Sequence, residues 1–114
     1  MQITKRIDKQ HYILKLSGTF TNEDCHTLNN ALEESFRSFC KYVLMDMEDL
    51  LNITPSAQRI LLSFLSQVQS LKITLILYNV NTPITTALQD SGIANFLHIA
   101  SSLEEAKLII GSKS

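Results

Sequence analysis

Tyr42-Val43-Leu44-Met45-Asp46, followed within a dozen residues by Thr54-Pro55-Ser56-Ala57-Gln58-Arg59-Ile60-Leu61, decides the fold. The first run is short, continuously apolar and β-compatible, the pattern of a central strand covered on both faces; it is expected to stop at Asp46. The second is a helix start. Thr54 is a good N-cap, and Pro55 suits the first helical position, where its missing N–H would be unpaired anyway. Ile60, Leu61, Phe64, Leu65 and Val68 then recur at helical spacing. A buried strand leading into an amphipathic helix is the unit of an α/β sheet.

Upstream, Ile3, Lys5 and Ile7, then Tyr12, Leu14 and Leu16, suggest a hairpin with one buried face, turning at Asp8-Lys9-Gln10 and ended by Gly18. Thr21, with Asp24 three residues on, approximates a capping box for a helix carrying Leu28, Ala31, Leu32, Ser35, Phe36 and Phe39, ended at Cys40-Lys41. Downstream, Ile73–Tyr78 predicts a second buried strand. Thr82-Pro83 repeats the helix-start signal for a short helix ended by Gly92, Phe96–Ile99 a last strand, and Ser102-Leu103-Glu104-Glu105 a capped terminal helix stopped by Gly111. The stretch Met47–Asn52 reads equally as a strand extension or a loop. Residues 1–114 thus form one α/β domain, a mixed sheet of four to six strands with about four helices packed against it. Leu44, Leu61, Leu65, Leu75 and Leu77 are expected in its core.

Composition narrows the function. Hydrophobic residues make up 45% of the chain, and the formal net charge is -1 with no basic tract. Phosphate neutralisation needs clustered Lys and Arg, so no nucleic acid is expected as partner. No apolar run reaches spanning length and the N-terminus has no apolar leader, so no direct membrane insertion and a cytoplasmic location are expected. Cys25 and Cys40 lack neighbours at metal spacing and read as reduced thiols.

Enzyme signatures are missing: no Gly-rich phosphate loop, no GxSxG elbow, no HExxH. The chain's three glycines cannot build a nucleotide cradle, and His11, His26 and His98 fall on three different elements. Asp46, Glu48 and Asp49 follow the central strand at its C-terminal end, where α/β sheets place ligands. They read either as carboxylates for a divalent metal or an enzyme, or as a solvated acidic loop. No cofactor is expected.

Three stretches resemble the STAS family (sulphate transporter and anti-sigma factor antagonist). Leu16-Ser17-Gly18 before a capped helix looks like that family's Leu-x-Gly-x-Leu-Asp opening. Val43-Leu44-Met45-Asp46-Met47 through Ile53-Thr54-Pro55-Ser56-Ala57 is similar to its apolar strand, Asp-Leu, and Asp-Ser-Ser-Gly helix start. Leu75–Asn79, Leu88 to Ile93, Phe96–Ile99 and Ser102–Ala106 follow its closing pattern. The resemblance implies a single STAS-like domain that is not an enzyme and acts by binding a protein, such as a kinase-type anti-sigma factor from which it displaces the sigma factor. In such antagonists the second Ser of Asp-Ser-Ser-Gly is phosphorylated, and Ser56 holds that position. Thr54 replaces the Asp, Pro55 the first Ser and Ala57 the Gly.

The resemblance therefore marks Ser56 as the phosphorylation candidate and Thr54, Pro55, Ser56, Ala57 and Arg59 as partner-binding candidates; the plain alternative for Ser56 is an ordinary first-turn serine. The altered motif also fits an accessory or scaffold subunit of a transport ATPase or stress-signalling complex. With no long apolar stripe left over once the core is assigned, a monomer or weak dimer is expected.

Overall fold

A computed structural model describes residues 1–8, 11–37 and 40–113. Among the described residues, five strands form one sheet in the order β1 (Gln2–Asp8), β2 (His11–Phe20), β3 (Tyr42–Ile53), β4 (Thr74–Tyr78) and β5 (His98–Ala100). β1 runs antiparallel to β2, and every later neighbour is parallel. Helices α1 (Cys25–Arg37), α2 (Pro55–Ser70), α3 (Thr82–Ser91) and α4 (Leu103–Lys113) supply the crossovers and the terminal cover. This is the mixed α/β sheet expected, with β3 at its centre.

The two faces carry separate cores. Tyr12, Leu14, Leu16, Val43, Met45, Leu75 and Leu77 point to one side, where Leu28 and Ala31 of α1, Leu61, Phe64, Leu65 and Val68 of α2, and Ile84 and Leu88 of α3 close over them. Ile13, Leu44, Ile76 and Tyr78 point to the other, where α4 packs with Ala106 and Ile110. All five expected core leucines are buried. Alternate residues of β3 thus feed both cores, which is why the run reads as continuously apolar.

Several boundaries differ from the sequence reading, each for a visible reason. The hairpin does not bury one face along both arms. β1 is the sheet's edge, so Ile3 is only half-buried and Ile7 is 55% exposed, whereas β2 is flanked by strands on both sides and buries Ile13 as well as Tyr12, Leu14 and Leu16. Gly18 does not end β2, which continues to Phe20. β3 likewise does not stop at Asp46 but runs on to Ile53 beside it, resolving Met47–Asn52 as strand.

The α3 cap is Asn81, not Thr82: its Oδ1 accepts the Ile84 N–H at 3.1 Å. The last strand starts at His98, because Ile93–Phe96 forms a 3-10 turn after Gly92, and α4 continues through Gly111 to Lys113. The capping box at Thr21 and Asp24 is present, closing a 3-10 turn (Asn22–Asp24) that leads into α1. Lys9, Gln10, Phe39 and the side chains of Leu32 and Phe36 lie outside the described residues.

Candidate functional site

The β3–α2 connection is held from three directions. Ile53 and Phe20 are register partners, and the next amide along, Thr54 N–H, donates to the Phe20 carbonyl at 3.0 Å. The chain therefore enters α2 from a strand that is still paired. Thr54 Oγ1 then accepts the Ala57 N–H at 3.1 Å and the Thr54 carbonyl accepts the Gln58 N–H at 3.0 Å. Ala57 is fully buried against the sheet, while Pro55, Ser56 and Arg59 are exposed and Thr54 is half-buried.

One first-turn donor remains over. Pro55 has no N–H, the Ala57 and Gln58 amides are taken, and Ser56, too close to the helix start for an intrahelical partner, has no other among the described residues. Its hydroxyl and its amide thus face water together at the positive end of α2. Arg59, three residues on and one turn along the same surface, has no ion pair among the described residues.

Around this turn the surface is shaped by features that the sequence reading missed. A cleft of about 490 Å³ runs between α2 and the end of α3, lined by Pro55, Gln58, Arg59, Asp90, Ser91 and Ile93 among others. Gln58 is only 7% exposed, and its Oε1 is enclosed without a partner among the described residues. Leu51 stands out from β3 at 73% exposure. Helical spacing flags Gln58 on the same face as Leu61 and Leu65, but nothing local foretells that α3 leaves a cleft beside it.

The three carboxylates of the acidic run are spread, not gathered. Asp46 is half-buried, and its Oδ1 accepts the Glu48 N–H at 3.0 Å and the Asn79 side-chain amide at 3.4 Å. Asp49 pairs with Lys15 at 3.2 Å, and Glu48 points into solvent. Among the described residues no three His, Cys, Asp or Glu side chains converge as metal ligands. Each acid in β3 is taken up by its own surroundings: Asp46 accepts from Glu48 and Asn79, Asp49 turns to Lys15, and Glu48 stays in solvent. These acids do not form a loop approaching Ser56.

A further ionisable cluster lies elsewhere. Tyr12 donates its hydroxyl to Glu34 Oε2 at 2.8 Å, and Lys5 reaches Glu34 Oε1 at 2.7 Å, tying β1 and β2 to α1. The Lys5 and Tyr12 hydrogen bonds hold the Glu34 carboxyl below its ordinary range, while burial and Glu34 push the Tyr12 phenol well above its own. No described helix is long and apolar enough to cross a membrane.

Comparison with known proteins agrees with this architecture. The family model of the STAS domain matches residues 2–106. No curated protein sequence matches. Among solved structures, RsbS of Moorella thermoacetica superposes with a TM-score of 0.82 at 13% identity, covering 100% of both chains. An anti-sigma factor antagonist from Mycobacterium paratuberculosis gives 0.79 at 11%, covering 95% of this chain and 92% of that one. The phosphorylated form of SpoIIAA, a Bacillus cell fate determinant, gives 0.69 at 14%, covering 95% and 99%. At these identities the likeness is one of fold.

Proposed function

This chain belongs to the STAS domain family, and from that membership together with the geometry at the start of α2 we propose that it is a non-enzymatic regulatory module that binds a protein partner, in the manner of an anti-sigma factor antagonist. The partner is a kinase-type anti-sigma factor, and the docking surface is centred on Thr54, Pro55, Ser56, Ala57 and Arg59. The module works in the cytoplasm as a monomer or weak dimer. One observation carries the reading: Ser56 presents its hydroxyl and an unpaired N–H together at the open end of a capped helix.

Phosphorylation of Ser56 is the switch in this reading. A phosphoserine adds about −1.5 to −2 charges at neutral pH. At an exposed helix N-terminus that charge is tolerated, stabilised by roughly 0.3–1 kcal/mol, and the free Ser56 amide and Arg59 are at hand to take its oxygens. The fold would survive, and the effect would be outward, against a partner that must desolvate this turn. Pro55 and Ala57 make the turn stiffer than a Ser-Gly pair would, so the acceptor is presented in one backbone conformation.

The test is mass spectrometry of the protein from its own cell, joined to affinity capture with wild type, Ser56→Ala and Ser56→Asp. Phosphate on Ser56, with a kinase-type anti-sigma factor retained by wild type and Ser56→Ala but lost by Ser56→Asp, is the expected result. Retention of a transport ATPase by all three forms would replace this reading with that of an accessory subunit.

A further inference from the structure

On the face of the sheet that α4 covers, four strands set one polar row side by side. Thr4 is the register partner of Lys15, Lys15 of Asp46, and Asp46 of Tyr78. The next row, through Arg6, Ile13, Leu44 and Ile76, is apolar apart from Arg6. α4 seals Leu44, Ile76, Tyr78 and Ala100 with Ala106 and Ile110, but toward β1 the face carries a groove of about 240 Å³ lined by Thr4, Arg6, Ile13, Lys15, Asp46 and Tyr78. It lies on the side of the sheet away from α2 and Ser56.

Its polar groups are only partly used. Tyr78 is 3% exposed, yet its hydroxyl has no hydrogen-bond partner among the described residues and, unlike His11 Nδ1 and Gln58 Oε1, is not sealed from solvent. The ring is buried while the hydroxyl opens into the groove, where it can donate to a bound molecule. Burial, reinforced by Asp46, pushes its pKa up to about 12, so at neutral pH it is a hydrogen-bond donor. Arg6 carries no ion pair among the described residues, whereas Lys15 is occupied with Asp49 at 3.2 Å. Asp46 accepts through Oδ1 from Glu48 and Asn79, leaving Oδ2 without a partner among the described residues.

The groove thus offers a free guanidinium, a buried neutral phenol and a free carboxylate oxygen around one space. An anion alone would meet Asp46 unfavourably, and a cation alone would meet Arg6 and Lys15. A molecule carrying both charges complements the set, with its carboxylate on Arg6 and the Tyr78 hydroxyl and its ammonium on Asp46 Oδ2. The volume, below the ~300 Å³ at which drug-sized pockets begin, suits a metabolite of few heavy atoms. We propose that this groove is a binding site for a small zwitterion of the α-amino acid class, held between Arg6 and Asp46 over Tyr78.

The proposal is tested with the full chain labelled with ¹⁵N, titrated with each of the twenty standard amino acids, and with acetate and methylammonium as half-ligands. At least one amino acid should give saturable shifts, in the millimolar range or tighter, at the amides of Arg6, Ile13, Lys15, Asp46 and Tyr78. Acetate and methylammonium should each bind at least tenfold more weakly. Tyr78→Phe and Arg6→Gln should each weaken the amino acid tenfold or more. Should Tyr78→Phe fail to fold, Arg6→Gln decides alone, since that side chain is exposed and outside both cores. No saturable response to any of the twenty, acetate binding as tightly as the amino acid, shifts confined to another surface, or unchanged binding by Arg6→Gln would each overturn it.

Discussion

Asn81 donates its side-chain amide to the Leu50 carbonyl at 2.6 Å while its own Oδ1 caps α3 on the Ile84 N–H at 3.1 Å. The pairing of β3 with β4 ends at Asp46 and Tyr78, so beyond that point, among the described residues, β3 has a strand neighbour on one side only. Asn81 stands in for the missing neighbour and couples the far end of β3 to the start of α3. Asn81→Ala should lose both bonds and cost about 2 kcal/mol, roughly one for the cap and one for the stranded carbonyl. Asn81→Asp should keep the cap but set a carboxylate against the Leu50 oxygen. Its deficit, measured by urea unfolding, should be larger at pH 7 than at pH 3.

At the α2 start, cap and acceptor are separable. Thr54→Ala removes the acceptor for the Ala57 N–H and should destabilise the domain by about 1 kcal/mol. Ser56→Asp should change stability by no more than about 1 kcal/mol, because a carboxylate is favourable at a helix N-terminus. The same substitution should weaken the partner by about 2 kcal/mol, roughly thirtyfold, if that turn is desolvated in the complex. Calorimetric binding beside thermal unfolding reads both; equal binding by Ser56→Asp and wild type would contradict a docking surface at Ser56.

Asp24 gives the domain an acid-sensitive joint. Burial favours the neutral acid, but the Thr21 N–H at 2.7 Å, the N-terminal amine at 3.3 Å and the Thr21 hydroxyl outweigh it and hold the pKa below the ordinary aspartate value. A native pKa lower than the unfolded one means that the stabilisation is present above the unfolded value, near pH 4, and is lost as pH falls through the native value. Urea midpoints of wild type should therefore drop more steeply below about pH 4 than those of Asp24→Asn. Asp24→Asn should be the less stable of the two at pH 7.

Lys72 ends α2 in a left-handed conformation, φ 62°, with its N–H on the Gln69 carbonyl at 3.0 Å and the Ile73 N–H on the Val68 carbonyl at 2.8 Å. That is a helix-ending motif in which glycine is usual. The left-handed backbone costs a lysine about 1–2 kcal/mol, partly offset by the extra freedom glycine has in the unfolded chain. Lys72→Gly should therefore raise stability by about 0.5–1 kcal/mol, visible as a higher thermal midpoint.

Much of this domain is written locally. Tyr42–Met45 reads as a central strand because both its faces are covered, and the Thr54-Pro55 start of α2 and the Thr21-Asp24 box read correctly because a cap is made by residues three apart. Such signals need no knowledge of the rest of the chain. Ser56 could be placed in the first turn of α2, exposed, for the same reason.

The far half of β3 could not be read this way. Met47, Leu50 and Ile53 are buried at intervals of three, with Glu48-Asp49 and Leu51-Asn52 turned outward, a period belonging to neither strand nor helix. Its origin is long-range. Between Lys15 and Ser17, and again between Gly18 and Thr19, β3 carries one more residue than β2, and each extra residue shifts the register to keep an apolar side chain inward. Gly18, at φ 88°, bends β2 beside the second shift instead of ending it. Composition and spacing along the chain thus determined which residues seek burial and where helices begin. Which acids stay apart, where β1 leaves the polar row uncovered and where α3 leaves a cleft beside Gln58 depend on register and packing between segments distant in sequence, and only the assembled sheet decides them.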